Sequence, residues 1–261
     1  MTDYLPALAG SAYDGAQLRH LLDMQIASGF NENYTDTDGI FMAYRRAAAW
    51  NPVEEGVETE GLRHFLTQMP KSETVQHGRL HHYCSPHSDV LGWVIERAGN
   101  ASFAEQFSEH ILAPCGGSHT GYITLDTYGA PRVSGGMCLS LYDLLLIGEM
   151  VRNRGHINKL QVVPSAWIDD ITAVRDNSIW RAQHNADGPR LFINGNYRSL
   201  WYQSGIADQE ICGIGIHGQW LWINPQKELV IAKLASHDSE VDTATDRVML
   251  AAFRAIAEAL N

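Results

Sequence analysis

Between Tyr197 and Leu234 the chain passes through four short β-rich runs, Tyr197 to Tyr202, Ile211 to Ile216, Gln219 to Ile223 and Leu229 to Leu234. Runs this short, with no room between them for the crossover that parallel strands need, are restricted to an antiparallel meander. Asn224-Pro225-Gln226-Lys227 supplies the turn between the last two. A helix from about Asp242 to Leu260 follows, with Met249, Ala252, Phe253, Ile256 and Leu260 on one face. Such an apolar stripe needs a surface to cover, and the meander provides one.

Upstream the period is helical. Leu18, Leu21, Leu22 and Ile26 predict a short helix over roughly 16 to 27, with others through Tyr44 to Ala49 and around Leu62 to Gln68. The clearest spans 85 to 98: Ser85 is read as N-cap, Pro86 takes the first helical position, and Val90, Leu91, Val94, Ile95 and Ala98 share a face. Further helices are predicted near Phe103 to Leu112 and Leu139 to Val151. Phe30 to Gly39 is acidic, aromatic and turn-rich, which suits a loop over a pocket, and Asn51 to Glu60 reads as a surface connection. Helices first, strands later and a closing helix define an α+β fold. The 261 residues are read as a single domain, helical over about 10–195, with antiparallel strands plus the C-terminal helix over about 196–261.

Composition narrows the function. A formal net charge of −11 without a basic stripe argues against nucleic-acid partners, whose phosphates require clustered Lys and Arg. No stretch of apolar residues is long enough for a membrane span, and Met1 to Gly10 has no leader pattern, so a soluble cytoplasmic protein is expected. Cys84, Cys115, Cys138 and Cys212 are widely spaced, without a Cys-x-x-Cys. His77, His81, His82 and His87 lie close in sequence but lack a His-Glu-x-x-His pattern or a carboxylate to complete a set. Neither a metal nor another cofactor is expected.

Three segments carry chemistry. They are His82-Tyr83-Cys84-Ser85 running into Asp89-Val90-Leu91-Gly92-Trp93, then Ser134-Gly135-Gly136, then Gly213-Ile214-Gly215-Ile216-His217-Gly218-Gln219. Their order resembles the serine β-lactamase-like hydrolases, and within them the 6-aminohexanoate-dimer hydrolases, from Tyr4-Leu5-Pro6 to the C-terminal helix. The resemblance implies the C-terminal portion of a β-lactamase-like fold, an antiparallel sheet flanked by helices with a helical subdomain. It implies action on a small linear amide or ester. Tyr83 matches the tyrosine of the Tyr-x-Asn motif, with Ser85 where many relatives carry Asn. Ile216 matches the strand residue whose backbone N–H helps form the oxyanion hole, and Tyr34, Trp201, Tyr202 and His217 are implied as substrate contacts. Gly213-Ile214-Gly215 stands where class C relatives carry Lys-Thr-Gly, so their second lysine has no counterpart.

In the family a serine attacks the carbonyl, and a lysine one helical turn later makes proton removal feasible at neutral pH. No serine in this chain has a lysine three residues on. The reading is therefore of a truncated family member that is silent by this mechanism. The alternative is a non-catalytic binding protein, associating as a homodimer or with a missing N-terminal segment. A third possibility is hydrolysis through another nucleophile.

Overall fold

In the computed structural model, which describes residues 1–51, 56, 58–184, 191–206 and 209–260, helices and strands sort into two units. Most of the Asn51 to Glu60 connection lies outside the described residues.

The first unit comprises Met1–Gln106 with Gly121–Cys138. Its helices are α1 (Leu18–Leu22), α2 (Ile40–Ala47), α3 (Gly61–Thr67) and α4 (Ser85–Gly99). Their apolar faces meet in one core: Leu21 of α1, Phe41 and Tyr44 of α2, Leu62 and Leu66 of α3, and Val90 and Val94 of α4 are all buried. The first helix is shorter than its leucine spacing predicts, because Met24 turns the chain left-handed at φ 52°. After α4, Asn100 makes the left-handed C-cap, and the chain runs on as α5 (Phe103–Phe107), a π-helical turn (Ser108–Leu112) and α6 (Ala113–Cys115). A small hairpin pairs β1 (Tyr122–Ile123) with β2 (Met137–Cys138).

The second unit, Phe107–Thr120 with Leu139–Asn261, begins its longer elements with α7 (Leu141–Arg152). A hairpin of β3 (His156–Ile157) and β4 (Leu160–Gln161) follows, then α8 (Ser165–Thr172) and α9 (Ser178–His184). The sheet is the expected meander, in the order β5 (Asn196–Arg198), β6 (Trp201–Gln203), β7 (Ile211–Gly215), β8 (Gln219–Asn224) and β9 (Leu229–Lys233). The run read as one strand, Tyr197 to Tyr202, is instead a tight hairpin. Ser199 and Leu200, at φ 51° and 68°, form its two-residue turn, and Arg198 pairs with Trp201.

The strand β8 shows why the sheet is sandwiched. Trp220 and Trp222 point to one face, beneath α10 (Thr243–Ala259), where their rings lie 5.6 and 6.1 Å from that of Phe253. Leu221 and Ile223, on the alternate face, join a core with Met150 and Val151 of α7. Close packing there depends on Gly148, since a Cβ at that position would lie 2.6 Å from Val230 Cγ1. Asp242 caps α10 by accepting from the N–H groups of Ala244 and Thr245, and Arg254 pairs with the buried Glu210 at 2.8 and 3.0 Å. Among the described residues, no helix is long and apolar enough to cross a membrane.

Phe253 is the side chain both tryptophans share. Phe253→Ala should lower stability by about 3–5 kcal/mol, seen as an earlier urea midpoint in tryptophan fluorescence.

Candidate active site

Helix α4 presents Tyr83 and Ser85 at its N-terminal end, and the group that organises them is Glu32. One carboxylate oxygen of Glu32 accepts the Ser85 backbone N–H at 2.6 Å; the other accepts the Ser85 hydroxyl at 2.8 Å and the Tyr34 hydroxyl at 2.6 Å. A carboxylate at a helix N-terminus satisfies an orphan N–H and meets the positive end of the macrodipole, and its hydrogen bonds are charge-assisted. The N-cap reading of Ser85 is thereby corrected. Cys84 occupies the cap position without a side-chain cap, Ser85 is the first helical residue, and its hydroxyl donates outward to Glu32. The same carboxylate holds Tyr34, whose ring stands edge-on to Phe41 at 5.0 Å.

Tyr83 is 37% exposed, the most accessible of these groups. Its phenol is nevertheless pushed above the ordinary tyrosine value, first by desolvation and then by the Glu32 carboxylate; the Ser85 hydroxyl acts weakly in the opposite direction. A turn further along α4, Asp89 is buried in a network: the Tyr44 hydroxyl donates to one oxygen at 2.7 Å, the Ser134 N–H to the other at 2.9 Å, and the two hydroxyls meet at 2.7 Å. Ser134 of the Ser-Gly-Gly motif thus anchors α4. Burial raises the Asp89 carboxyl to about 6 despite these donors. His87, fully buried beside Tyr13, is pushed down to about 3 by desolvation and by His82 and His77. His77 itself accepts the Ala27 N–H and stacks on His20. Among the described residues, no group of three His, Cys, Asp or Glu could hold a metal ion.

The other predicted residues lie in the second unit. Trp201 and Tyr202 are neighbours on β6 and so face opposite sides of the sheet. Trp201 packs on the core with α7, whereas Tyr202 sits among Tyr197, Trp180 and Phe192 at ring distances of 4.8, 6.2 and 6.3 Å. Strand β7 stops at Gly215, and Ile216 opens a single 3₁₀ turn to Gly218. His217 stands in that turn at φ 58°, its backbone N–H on Glu240 O at 3.0 Å and its Nδ1 on His237 O at 2.8 Å. Since a carbonyl oxygen only accepts, His217 Nδ1 is the donor in that bond.

A Ser-His-Asp grouping also occurs in this unit. Ser118 Oγ, Ser140 Oγ and Asp143 Oδ2 approach His119 at 3.2, 3.2 and 3.3 Å, all at Nδ1. A catalytic relay needs the acid on one ring nitrogen and the nucleophile on the other, and Ser140 is already the N-cap of α7. The grouping is structural. Glu32 and the Asp89 network were not visible as partners in the sequence, since the first bridges 53 positions and the second 45.

Over residues 1–255 the sequence matches the model of the Beta-lactamase family. The chain belongs to that family. It is 31% identical over 236 residues to the 6-aminohexanoate-dimer hydrolase of Paenarthrobacter ureafaciens, covering 90% of this chain and 58% of that one. In fold it is similar to a Bacillus anthracis protein assigned as a 6-aminohexanoate-dimer hydrolase, at TM-score 0.84 and 21% identity, covering 99% of this chain and 65% of that one. It is also similar to a D-stereospecific amidohydrolase from Streptomyces sp., at TM-score 0.65 and 15% identity, covering 96% and 76%. The chain therefore spans less than two thirds of the length of the first two. Antiparallel sheet flanked by helices, as the family resemblance implies, is the observed architecture.

Two outcomes follow for this family member. Glu32→Gln removes the charge but not the shape, so the Tyr83 phenol should titrate at lower pH in ¹³C-tyrosine NMR, with a loss of about 1–2 kcal/mol in stability. An unmoved Tyr83 titration would exclude Glu32 as its electrostatic neighbour. Asp89 has a folded value near 6 against an ordinary 3.8, so its contribution to stability is full below about pH 4 and declines as pH rises through 6. Asp89→Asn should flatten that part of the urea-stability profile.

Proposed function

We propose that this chain carries the tyrosine side of a serine hydrolase site for linear amides or esters, of the 6-aminohexanoate-dimer hydrolase kind. The observation that carries the reading is Tyr83, accessible beside the Glu32–Ser85 clamp at the head of α4. The 31% identity to a 6-aminohexanoate-dimer hydrolase supports it. In the complete site Tyr83 takes the proton of an attacking serine and returns it to the leaving group, Ser85 holds the N-terminal turn, and the Ile216 N–H stabilises the oxyanion. The resemblance also implies Tyr34, Trp201, Tyr202 and His217 as substrate contacts; Tyr34 shares the Glu32 clamp with Ser85, whereas Trp201 and Tyr202 face opposite sides of β6, so at most one of that pair lines a cleft. No cofactor is needed for this chemistry.

The chain alone is silent by this route. It contains no Ser-x-x-Lys, and its Tyr83 is shifted in the wrong direction for a base: a phenol raised above its ordinary value stays protonated at neutral pH. A neighbouring ammonium would reverse that shift. Each missing oxyanion donor costs a further factor of about 10²–10³ in rate.

One feature favours a second reading, a non-catalytic partner protein that keeps a ligand cleft. Among the described residues, strand β9 ends the sheet order with β8 as its single strand neighbour, so Leu229–Lys233 is an edge strand. On α10, Val248 and Ile256 are 62% and 46% exposed. An open apolar edge pairs readily with a strand from another chain, whether a second copy or a segment bearing the nucleophile.

Hydrolysis of p-nitrophenyl acetate and a linear aminohexanoate dimer by the purified chain, beside Tyr83→Phe, separates these. No turnover is expected from a folded sample. Turnover abolished by Tyr83→Phe would overturn the silent reading, and saturable binding of the dimer by NMR without turnover would favour the partner protein.

A further inference from the structure

Away from Tyr83, the first unit contains two guanidinium groups that pair with no carboxylate among the described residues. Arg45 of α2 and Arg132 of the loop before β2 both lie over the indole of Trp50, with Cζ 4.9 and 4.0 Å from the ring centroid. Arg132 is 8% exposed, and the Nε of each arginine is buried without a hydrogen-bond partner. Arg45 Nη2 donates to Asn51 Oδ1 at 3.0 Å; among the described residues the Arg132 side chain has no acceptor.

Asp89 is the carboxylate that senses Arg132, yet its oxygens are taken by Tyr44 and Ser134, and no ion pair joins the two residues. A buried guanidinium without a counter-charge is strongly unfavourable, and a second like charge on the same ring makes it more so. Stacking on Trp50 offsets part of this cost through the ring quadrupole, but it leaves the in-plane N–H donors unused. Gly135 contributes to the arrangement, because a Cβ there would stand 2.9 Å from Arg132 Nη2. In a chain of net charge −11, this is a local concentration of unspent positive charge and not a general surface property.

We propose that Arg45, Trp50 and Arg132 form a binding site for the carboxylate group of a small organic acid. A carboxylate suits it because two oxygens in one plane match the N–H edge of a guanidinium. The same chemistry could come from an acidic side chain, and Glu54 and Glu55 follow shortly after Asn51 in sequence. The site is independent of Tyr83 and of any hydrolytic role.

The test follows the arginine Nε–H resonances of the ¹⁵N-labelled chain during titration with sodium acetate at constant ionic strength, with sodium chloride as control. Assignment comes from Arg45→Gln and Arg132→Gln; Arg45→Gln, at the more exposed position, serves if Arg132→Gln does not fold. Expected are saturable shifts of both resonances with acetate, absent with chloride, and an acetate affinity weaker by about tenfold or more in either variant. Equal shifts with chloride, or no saturation, would overturn the site. Saturation confined to a Glu54→Gln/Glu55→Gln chain would overturn it too, by showing that the protein's own carboxylates fill it.

Discussion

The Glu32 carboxylate decides how the first unit presents its chemistry. Without it, the N-terminal N–H of α4 and the hydroxyls of Ser85 and Tyr34 would each need water or another acceptor, and the aromatic loop would lose its tie to the helix. Two of its three charge-assisted bonds bring together segments 53 residues apart, and the third holds Tyr34 of its own loop. They also place a negative charge next to Tyr83. The carboxylate that ties Tyr34 and Ser85 together is thus the same group that, together with burial, keeps the Tyr83 phenol protonated. Order and reactivity pull in opposite directions here, and only an added cation reconciles them.

Family membership is one matter for this chain and the electrostatics around Tyr83 another. The match extends over residues 1–255, and the architecture follows the relatives, yet the chain spans 58% of the length of the curated hydrolase it matches. Tyrosine as a proton acceptor is a property of a pair, phenol plus ammonium, and not of the residue alone.

Much of the fold was legible because burial imposes period. Gln219 to Ile223 reads as a strand and Phe253 lies in the apolar stripe of the closing helix; the structure has both, and covers the strand on its two faces as well. Boundaries were less legible, since the Ser199-Leu200 turn uses left-handed backbone at residues that carry no glycine signal. Ser85 shows the limit at the site. Its type and position are those of an N-cap, and only the arrival of Glu32 from a distant loop changes its hydroxyl from acceptor to donor. Tyr83 is singled out by the order of motifs alone, while Glu32 sits in a loop whose acidic character gives no hint of its partner.

The placement of charge in the first unit has a further logic. Asp89 and Arg132 are close enough to influence each other, but neither serves as the other's partner. Neutral donors, the Tyr44 hydroxyl and the Ser134 N–H, fill the carboxylate, so its charge is solvated by the protein and not cancelled by it. Had Arg132 paired directly with Asp89, both charges would be spent in the core and the serine of Ser-Gly-Gly would be free of α4. Using hydroxyl and amide donors instead anchors that motif to the helix bearing Tyr83, and leaves the Arg132 guanidinium without an acceptor among the described residues.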